Sequence, residues 1–486
     1  MQSQNQKSQR SNSNGRNGKI LILLAVLLPT LMLVTALVVD GSSLIGKHRR
    51  LQHTADAIAL SAAAEFVRTG SATAAIASGY TLAHQVCDTD SVDVEIHSPP
   101  EDGPHAGQRG AVSVRLAQRS NLHLAAFVAT SVDDIRTSAT ARATPAQHPN
   151  ALVALASRHP RVSILGLPTL LGSSLSLAAL EVEGIGSLEV HGAIHVNSQY
   201  GRVDENNQRV GRTILPPYGM MVTPGLGLAK VKAKEIRVVG GVDSPIHYRA
   251  LDGSPTALRA NRFPIRDPYD DLPTPPVASG PSRGGVTVVG LPLIGPPVTL
   301  YPGTYDWIQV VSGIVTFKPG VYVIKGKHPL TQQALALLAG RVTAKNVMFY
   351  IGDPANASSG SGTGDLLDVL EPLVGDVDVV PSVIIAEAVS RLSMSGIQDP
   401  ASPFHQLLIY QGREQRNAIV IEANDLLKTC ELSGSIYAKR GHLLFAGRGN
   451  YDLSVVAGTM RFLAVGKTTL QPQHLLPPAE DVYLVE

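Results

Sequence analysis

The chain has 486 residues, a formal net charge of +2, 16% charged and 5% aromatic residues, 45 Gly and 33 Pro. That length allows two or three domains, and the near-neutral balance argues against a nucleic-acid partner, which needs a basic face to neutralise phosphates. Two cysteines, Cys87 and Cys430, are too few for a disulfide scaffold, and their separation into different expected domains disfavours even one bridge.

Residues 1–19 are rich in Gln, Ser and Asn without apolar periodicity, the composition of a disordered tail. From Ile20 to Val39 the chain carries no charge. At about 1.5 Å per residue, roughly twenty apolar residues cross the hydrocarbon core of a bilayer once, so residues 20–40 are expected to form a transmembrane helix. Pro29 lies mid-span, where a membrane helix tolerates it with at most a bend. A cleaved signal peptide is the competing reading, with Val34-Thr35-Ala36 as a passable cleavage site, but the run is long for one. Lys7, Arg10, Arg16 and Lys19 before the span nearly balance Lys47, Arg49 and Arg50 after it. The absence of acids on the N-terminal side, with Asp40 at the far end, favours a cytoplasmic N-terminus and a bulk that is periplasmic or extracellular.

After Gly41 the helical pattern is expected to continue as an amphipathic stem to Phe66, with Leu44, Leu51, Ile58 and Leu60 near a helical repeat among alanines and Gly70 as the stop. A second helix over Ala72 to Gln85, strands over 91–96 and 111–116, a short helix over Leu122 to Thr130 and a third strand over Asp134 to Ala143 complete a small α+β unit.

The order Pro29, Asp40-Gly41, then Arg49-Arg50-Leu51-Gln52-His53-Thr54-Ala55-Asp56-Ala57-Ile58-Ala59-Leu60 resembles the N-terminal region of the TadG-like proteins of the Tad (Flp) pilus-assembly system. The resemblance covers about residues 15–145, includes the strand ending near Ala143, and marks Asp40, Arg50, Leu51, Gln52, Asp56, Ala57 and Leu60 as motif positions. Two departures stand out. Counted from Gly18, the place where TadE-type pseudopilins carry a processing Glu is Leu23, and the Asp-x-Ser-x-Ser triplet that opens a von Willebrand A metal site is absent. The resemblance implies other Tad membrane proteins as partners.

Beyond Pro145 short β-type runs alternate with Gly, including 175–180, 187–191, 193–196, 285–289, 310–317, 321–324 and 346–350. Such spacing points to a mainly β domain over 150–470, with a parallel β-helix or solenoid favoured over a sandwich. Tyr301-Pro302-Gly303-Thr304-Tyr305 and Lys318-Pro319-Gly320-Val321-Tyr322 repeat Pro-Gly-x-Tyr at a seventeen-residue spacing near that of a stacked coil. Together with Gly434-Ser435-Ile436-Tyr437-Ala438 they extend a weaker resemblance to the C-terminal half of such pilus proteins. Residues 261–283 are too Pro-rich for strands and read as a loop or strap, 358–379 as a mobile insertion, and 471–486 as a C-terminal tail.

Catalysis has little to build on. A β-helix glycosidase needs two carboxylates on one sugar bond. Asp133-Asp134 would point to opposite faces of a strand, while Asp270-Asp271 and Asp376/Asp378 sit in expected loops. His191 and His195, four apart, would lie about 13 Å from each other on a strand, too far to share a metal. The Gly-rich 358–365 lacks the Gly-Lys-Ser/Thr ending of a phosphate loop. No cofactor is expected. The sequence therefore favours a non-enzymatic membrane protein that scaffolds pilus assembly or adhesion, with surface glycans as further contacts. The alternative is an exported carbohydrate-active or polysaccharide-binding protein on a β-helix.

Overall fold

A computed structural model describes residues 17–87, 91–119, 134–158, 162–164, 175–210, 216–224, 229–276, 282–291, 295–352, 377–386, 389–424 and 430–485. The chain divides into two compact units, residues up to 143 with 482–486, and residues 144–481. A membrane-length apolar helix and a small helical part precede a mainly β body.

The first unit is built on α1 (Asn17–Thr69), a single 53-residue helix, about 80 Å long at the helical rise. As the sequence leads one to expect, Gly41 to Gly46 continue the helix from the span into the stem without a break. Gly70 ends it at φ +67, its N–H donating to the Phe66 carbonyl at 2.7 Å. Ser71 then caps α2 (Ala72–Val86) by accepting from the Ala74 N–H.

The strands β1 (Val92–His97), β2 (Ala111–Gln118) and β3 (Ile135–Ala154) pair antiparallel, Val94 opposite Leu116 and Val114 opposite Ala139. The third strand runs eleven residues beyond the expected Ala143 and carries the chain into the second unit. Ile58, Ala59, Ala62, Ala63 and Phe66 of α1 are buried with Val92, Ile96, Val112, Val114 and Leu116 of the sheet. Small residues set the helix spacing. A Cβ on Gly79 would sit 2.8 Å from Ile96 Cδ1 and 3.3 Å from Ala62 Cβ, so α2 approaches the stem closely only because Gly79 has none. The helix expected over Leu122 to Thr130 lies outside the described residues.

The second unit begins with β3 and a small outer sheet, β4 (Val162–Ile164) and β5 (Leu175–Ser176). Next come β6 (Ala178–Gly184), β7 (Ser187–Val196), β8 (Tyr218–Pro224), β9 (Lys230–Val238), β10 (Tyr248–Ala250) and β11 (Leu258–Arg259). These stack in parallel, β6 on β8, β7 on β9, and β9 under β10 and β11. The two runs expected at 187–191 and 193–196 form one strand with a bulge.

A second stack starts with β12 (Gly285–Val288), β13 (Val298–Leu300), β14 (Gly303–Tyr305), β15 (Trp307–Val310), β16 (Ile314–Phe317) and β17 (Gly320–Ile324). It continues through β18 (Leu335–Leu337), β19 (Gly340–Ala344), β20 (Val347–Ile351), β21 (Val377–Val379), β22 (Pro381–Ile385), β23 (Val389–Ser395), β24 (Leu407–Gln411) and β25 (Ala418–Asn424). The long β26 (Cys430–Leu470) and β27 (Leu476–Leu484) complete the body.

From β12 to β17 each strand pairs in parallel with the third strand along, and β18 to β20 pair with β22 to β24. The outer sheet gains β21 against β4. The run expected as one strand over 310–317 is two, because Gly313 turns the chain at φ +126 between β15 and β16. The last strand is also a correction: residues 476–484 are no free tail but a strand with Leu476, Ala479 and Val482 buried. Most of the insertion expected over 358–379 lies outside the described residues.

The two stacks meet at β26. Its Val455–Ala457 pair with β3, Met460–Ala464 with β6 and Lys467–Leu470 with β7. The chain therefore runs from β3 to β11, returns along residues 261–276, and continues from β12 to β26, which pairs with the chain's own start. Val, Ile, Leu and aromatic side chains fill the interior in layers, among them Leu180, Ile194, Ile236, Ile308, Leu335, Phe349 and Ile419. Each fully buried side chain of this size contributes about 1.5–3 kcal/mol.

Candidate functional site

The membrane candidate comes from α1 itself. From Leu23 to Val39 the large apolar side chains are exposed, with Leu31 62%, Met32 67% and Leu37 68% accessible. A soluble core helix of this composition would bury them. Pro29 lies within the helix without ending it, and nearby hydroxyls return to the backbone: Thr30 Oγ1 donates to the Leu27 carbonyl at 2.9 Å and Thr35 Oγ1 to Leu31 at 2.8 Å. Neither hydroxyl then costs an unpaired group in lipid. Ile20 lies in the first turns of the helix and Val39 near the end of its exposed apolar stretch.

The motif positions divide by role. Asp40 is buried, Leu51 packs into the first unit, Leu60 is half-buried, and Arg50 and Ala57 face solvent. Gln52 is the link between helix and sheet. Its Nε2 donates to Asp56 Oδ1 one turn on at 2.9 Å and to the Ser138 carbonyl of β3 at 2.9 Å. Gln52 and Asp56 thus fasten the stem to the sheet beside the stripe Leu51, Ala55, Ile58, Ala59, Ala62.

The acid pairs do not assemble a catalytic centre among the described residues. Asp270 accepts from Arg266 at 3.1 Å and lies 3.4 Å from Lys439 Nζ, while Asp271 accepts from Arg266 at 2.9 Å. Asp134 is exposed just before β3, Asp133 and Asp376 lie outside the described residues, and Asp378 sits in β21. His191 is half-buried, whereas His195 is wholly buried, held neutral by that burial and by the nearby Arg237 charge, with its pKa pushed down to about 3. The Gly-rich 358–365 lies outside the described residues. Among them no group of three His, Cys, Asp or Glu is arranged to hold a metal. Cys87 and Cys430 are unbridged.

Within the stretch expected as a loop or strap, residues 265–272 fasten the two stacks. Asn197 Nδ2 donates to the Ile265 carbonyl at 2.8 Å and Ile265 N–H donates back to Asn197 Oδ1 at 2.9 Å. Tyr437 OH donates to Asp267 Oδ2 at 2.6 Å, and Arg413 Nη2 donates to the carbonyls of Tyr269, Asp270 and Leu272. Burial raises the Asp267 carboxyl above its ordinary range despite the Tyr437 hydroxyl and the Tyr269 N–H that bond to it.

Sequence reasoning missed the buried ion pairs: Arg461 with Glu183, and Arg237 with both Glu235 and Asp481. The signal was present as a single Arg in the apolar run Met460-Arg461-Phe462-Leu463. It also missed a third copy of the Tyr corner. In the two Pro-Gly-x-Tyr copies, Tyr305 OH donates to the Tyr301 carbonyl at 2.6 Å and Tyr322 OH to Lys318 at 2.8 Å. At Arg448-Gly449-Asn450-Tyr451 the proline is lost, but Gly449 keeps φ +135 against +134 at Gly320, and Tyr451 OH donates to the Arg448 carbonyl at 2.9 Å.

An exposed apolar helix of membrane length, continuous with a stem packed into a small folded unit, points to membrane anchoring. Residues 18–65 match the family model Tad, described as putative Flp pilus-assembly TadE/G-like. The N-terminal region is thus TadG-like, and the match supports a role in the Flp pilus-assembly system. The match ends at residue 65, so the β body lies outside it. No curated protein and no solved structure matches the chain.

Proposed function

We propose that this is a single-pass, non-enzymatic scaffold of a Tad-type pilus, its N-terminus cytoplasmic and its bulk outside the membrane. The observation that carries the reading is the Tad segment, which joins an exposed apolar span to a stem fastened onto β3 by Gln52. In this reading the span anchors, the exposed Arg50 and Ala57 side of the stem meets other pilus-assembly membrane proteins, and the β body is a three-faced β-solenoid offering stacked outer faces to protein or glycan. The parallel third-strand pairing supports the solenoid. The engagement of Asp270 and Asp271 by Arg266 supports the non-enzymatic role over the carbohydrate-active alternative.

The test is a pull-down from detergent-solubilised membranes through a tag after Glu486, read by mass spectrometry, beside protease digestion of spheroplasts. Recovery of pilus-assembly membrane proteins with an externally accessible tag is expected. A deletion strain with normal piliation, or recovery of polysaccharide without pilus components, would overturn the reading.

A further inference from the structure

The parallel pairings sort the second stack into three columns. One holds β12, β15, β18, β22 and β25 with His442–Arg448 of β26, the second β13, β16, β19 and β23 with Cys430–Ser433, and the third β14, β17, β20 and β24 with Ser435–Tyr437. Two of the columns are covered. Val420 and Leu444 of the first are buried with Val162, Ile164 and Val379 of the small outer sheet, and Tyr350, Tyr410 and Tyr437 of the third are buried with Ile265 and Leu476. Among the described residues no such cluster covers the second column. Its Val342, Leu392 and Leu432 belong to the main core, while Arg341, Arg391 and Glu431, which alternate with them, are exposed.

The second column runs on into the first stack. Ser433 Oγ donates to Asp452 Oδ2 at 2.6 Å, the Gln471 N–H donates to the Tyr451 carbonyl at 2.8 Å, and Lys467–Leu470 lead on to β7, β9 and β10 in turn. Here the outward positions gather cations. Lys230, Lys232 and Lys234 alternate along β9 with the buried Val231 and Ala233, Arg249 lies opposite Lys232, and Lys467 is in register with Lys230 two strands away. Among the described residues Glu189 is the one acid at these outward positions, 3.2 Å from Lys232 Nζ and 2.7 Å from Lys467 Nζ. Glu235, next along β9, is engaged by Arg237. The whole chain has 41 Lys and Arg against 39 Asp and Glu, so this is a local segregation of charge. Like charges directly opposite each other, Lys232 with Arg249 here and Arg341 with Arg391 further along the column, weaken a sheet unless an anion lies over them.

We infer that the open face centred on β9 binds an acidic polysaccharide, a polymer carrying carboxylates on its sugar rings. The charge of the face calls for a polyanion, and its texture selects which one. From Cys430–Ser433 to β10 the outward positions carry no Phe, Tyr or Trp, so nucleic-acid bases have nothing to stack on. They carry no Leu, Ile, Val or Met either, so a protein partner has no apolar anchor and a bilayer no inserting side chain. A hydrated polysaccharide needs neither. The cations stand about 6.6 Å apart along β9 and about 4.8 Å from strand to strand, the scale of a sugar ring, and lysine suits a carboxylate that is not held in one orientation. The half-buried Ser187 lies between Lys467 and Lys230, where its hydroxyl can bond to those of a sugar. This deepens the glycan contact of the proposed scaffold and rests on the β body lying outside the membrane.

The test titrates the full chain in neutral detergent micelles with polygalacturonate, with dextran as the uncharged control and single-stranded DNA and phosphatidylglycerol vesicles as rival polyanions. Binding to polygalacturonate and not to dextran, weakening as salt rises, is expected. Lys230→Glu with Lys234→Glu is expected to weaken it about tenfold or more at an unchanged unfolding midpoint. Lys318→Glu with Lys325→Glu makes the same change of charge at exposed positions outside the column and is expected to leave binding as it was. Glu189→Gln, which frees Lys232 and Lys467, is expected to tighten it. Should the glutamate variants fail to fold, glutamine at 230 and 234 is expected to weaken binding in smaller measure. No binding at low salt, equal losses in the two double variants, or tighter binding of DNA or vesicles than of polygalacturonate would overturn the inference. Pilus components recovered in the pull-down without polysaccharide binding would overturn this inference alone, and polysaccharide binding without pilus components would overturn the scaffold reading alone.

Discussion

The stem and the β body hold their interiors by opposite means. In the stem, Ala55, Ala59, Ala62 and Ala63 with Gly79 bring two helices close, so small size does the packing and neighbours in sequence do most of the work. In the β body, Ile308, Leu335, Phe349 and their like stack between strands tens of residues apart, and the last strand must find β3, β6 and β7, about 280–300 residues back. The difference teaches where each region is vulnerable: the stem to added volume, the body to the loss of a long-range partner.

The largest effect is expected at Arg461, whose side chain is 2% exposed against Glu183 at 20%. Arg461→Met leaves Glu183 without its partner at the seam between the stacks, and a loss of about 3–5 kcal/mol in the urea unfolding of the β body is expected. Adding Glu183→Leu should recover most of it. Little loss in the single variant would mean that the seam contributes less than the geometry implies. Gly79→Leu strikes the other region. The added side chain meets Ile96 and Ala62, and about 2 kcal/mol is expected from overpacking. Hydrogen exchange should quicken in α1, α2 and β1 while the β body keeps its protection; equal loosening of both would erase the distinction drawn here.

The smallest effect is a pH response confined to the body. His195 has a folded pKa of about 3 against an ordinary 6.5, so its contribution is fully present above pH 6.5 and is lost as pH falls toward 3. Between pH 6.5 and 5.5 the wild type should lose about 1 kcal/mol relative to His195→Leu. Asp267, with its pKa raised by burial, acts with the opposite sign in both proteins, so the difference isolates His195. Parallel pH curves for the two proteins would show that the imidazole is not held neutral.

How much of this was legible depended on the range of the interaction. The span, the stem, its stop at Gly70 and most short strands follow from neighbours within a few residues, and their patterns stand in the sequence. The seventeen-residue Pro-Gly-x-Tyr spacing was legible too, but its meaning was not. Val298 pairs with Val315 at that spacing, Gly303 with Tyr322 at nineteen, and Gly320 with Val347 at twenty-seven, because loops of different length leave the corners. The tyrosine corner tolerates this, since each hydroxyl bonds to a carbonyl three or four residues back and needs no fixed coil length.

By itself, then, the sequence determined an apolar span of membrane length, a Tad-like stem and a chain of short strands, each set by local periodicity, helix propensity and glycine. Only the tertiary structure decided that the two parallel stacks of the β region meet at β26, and that Arg461 and Arg237 are buried with acids from distant segments. The physical reason is that strand pairing and buried charge pairs are satisfied by whichever partner the folded chain brings alongside, and a linear sequence carries no record of that distance.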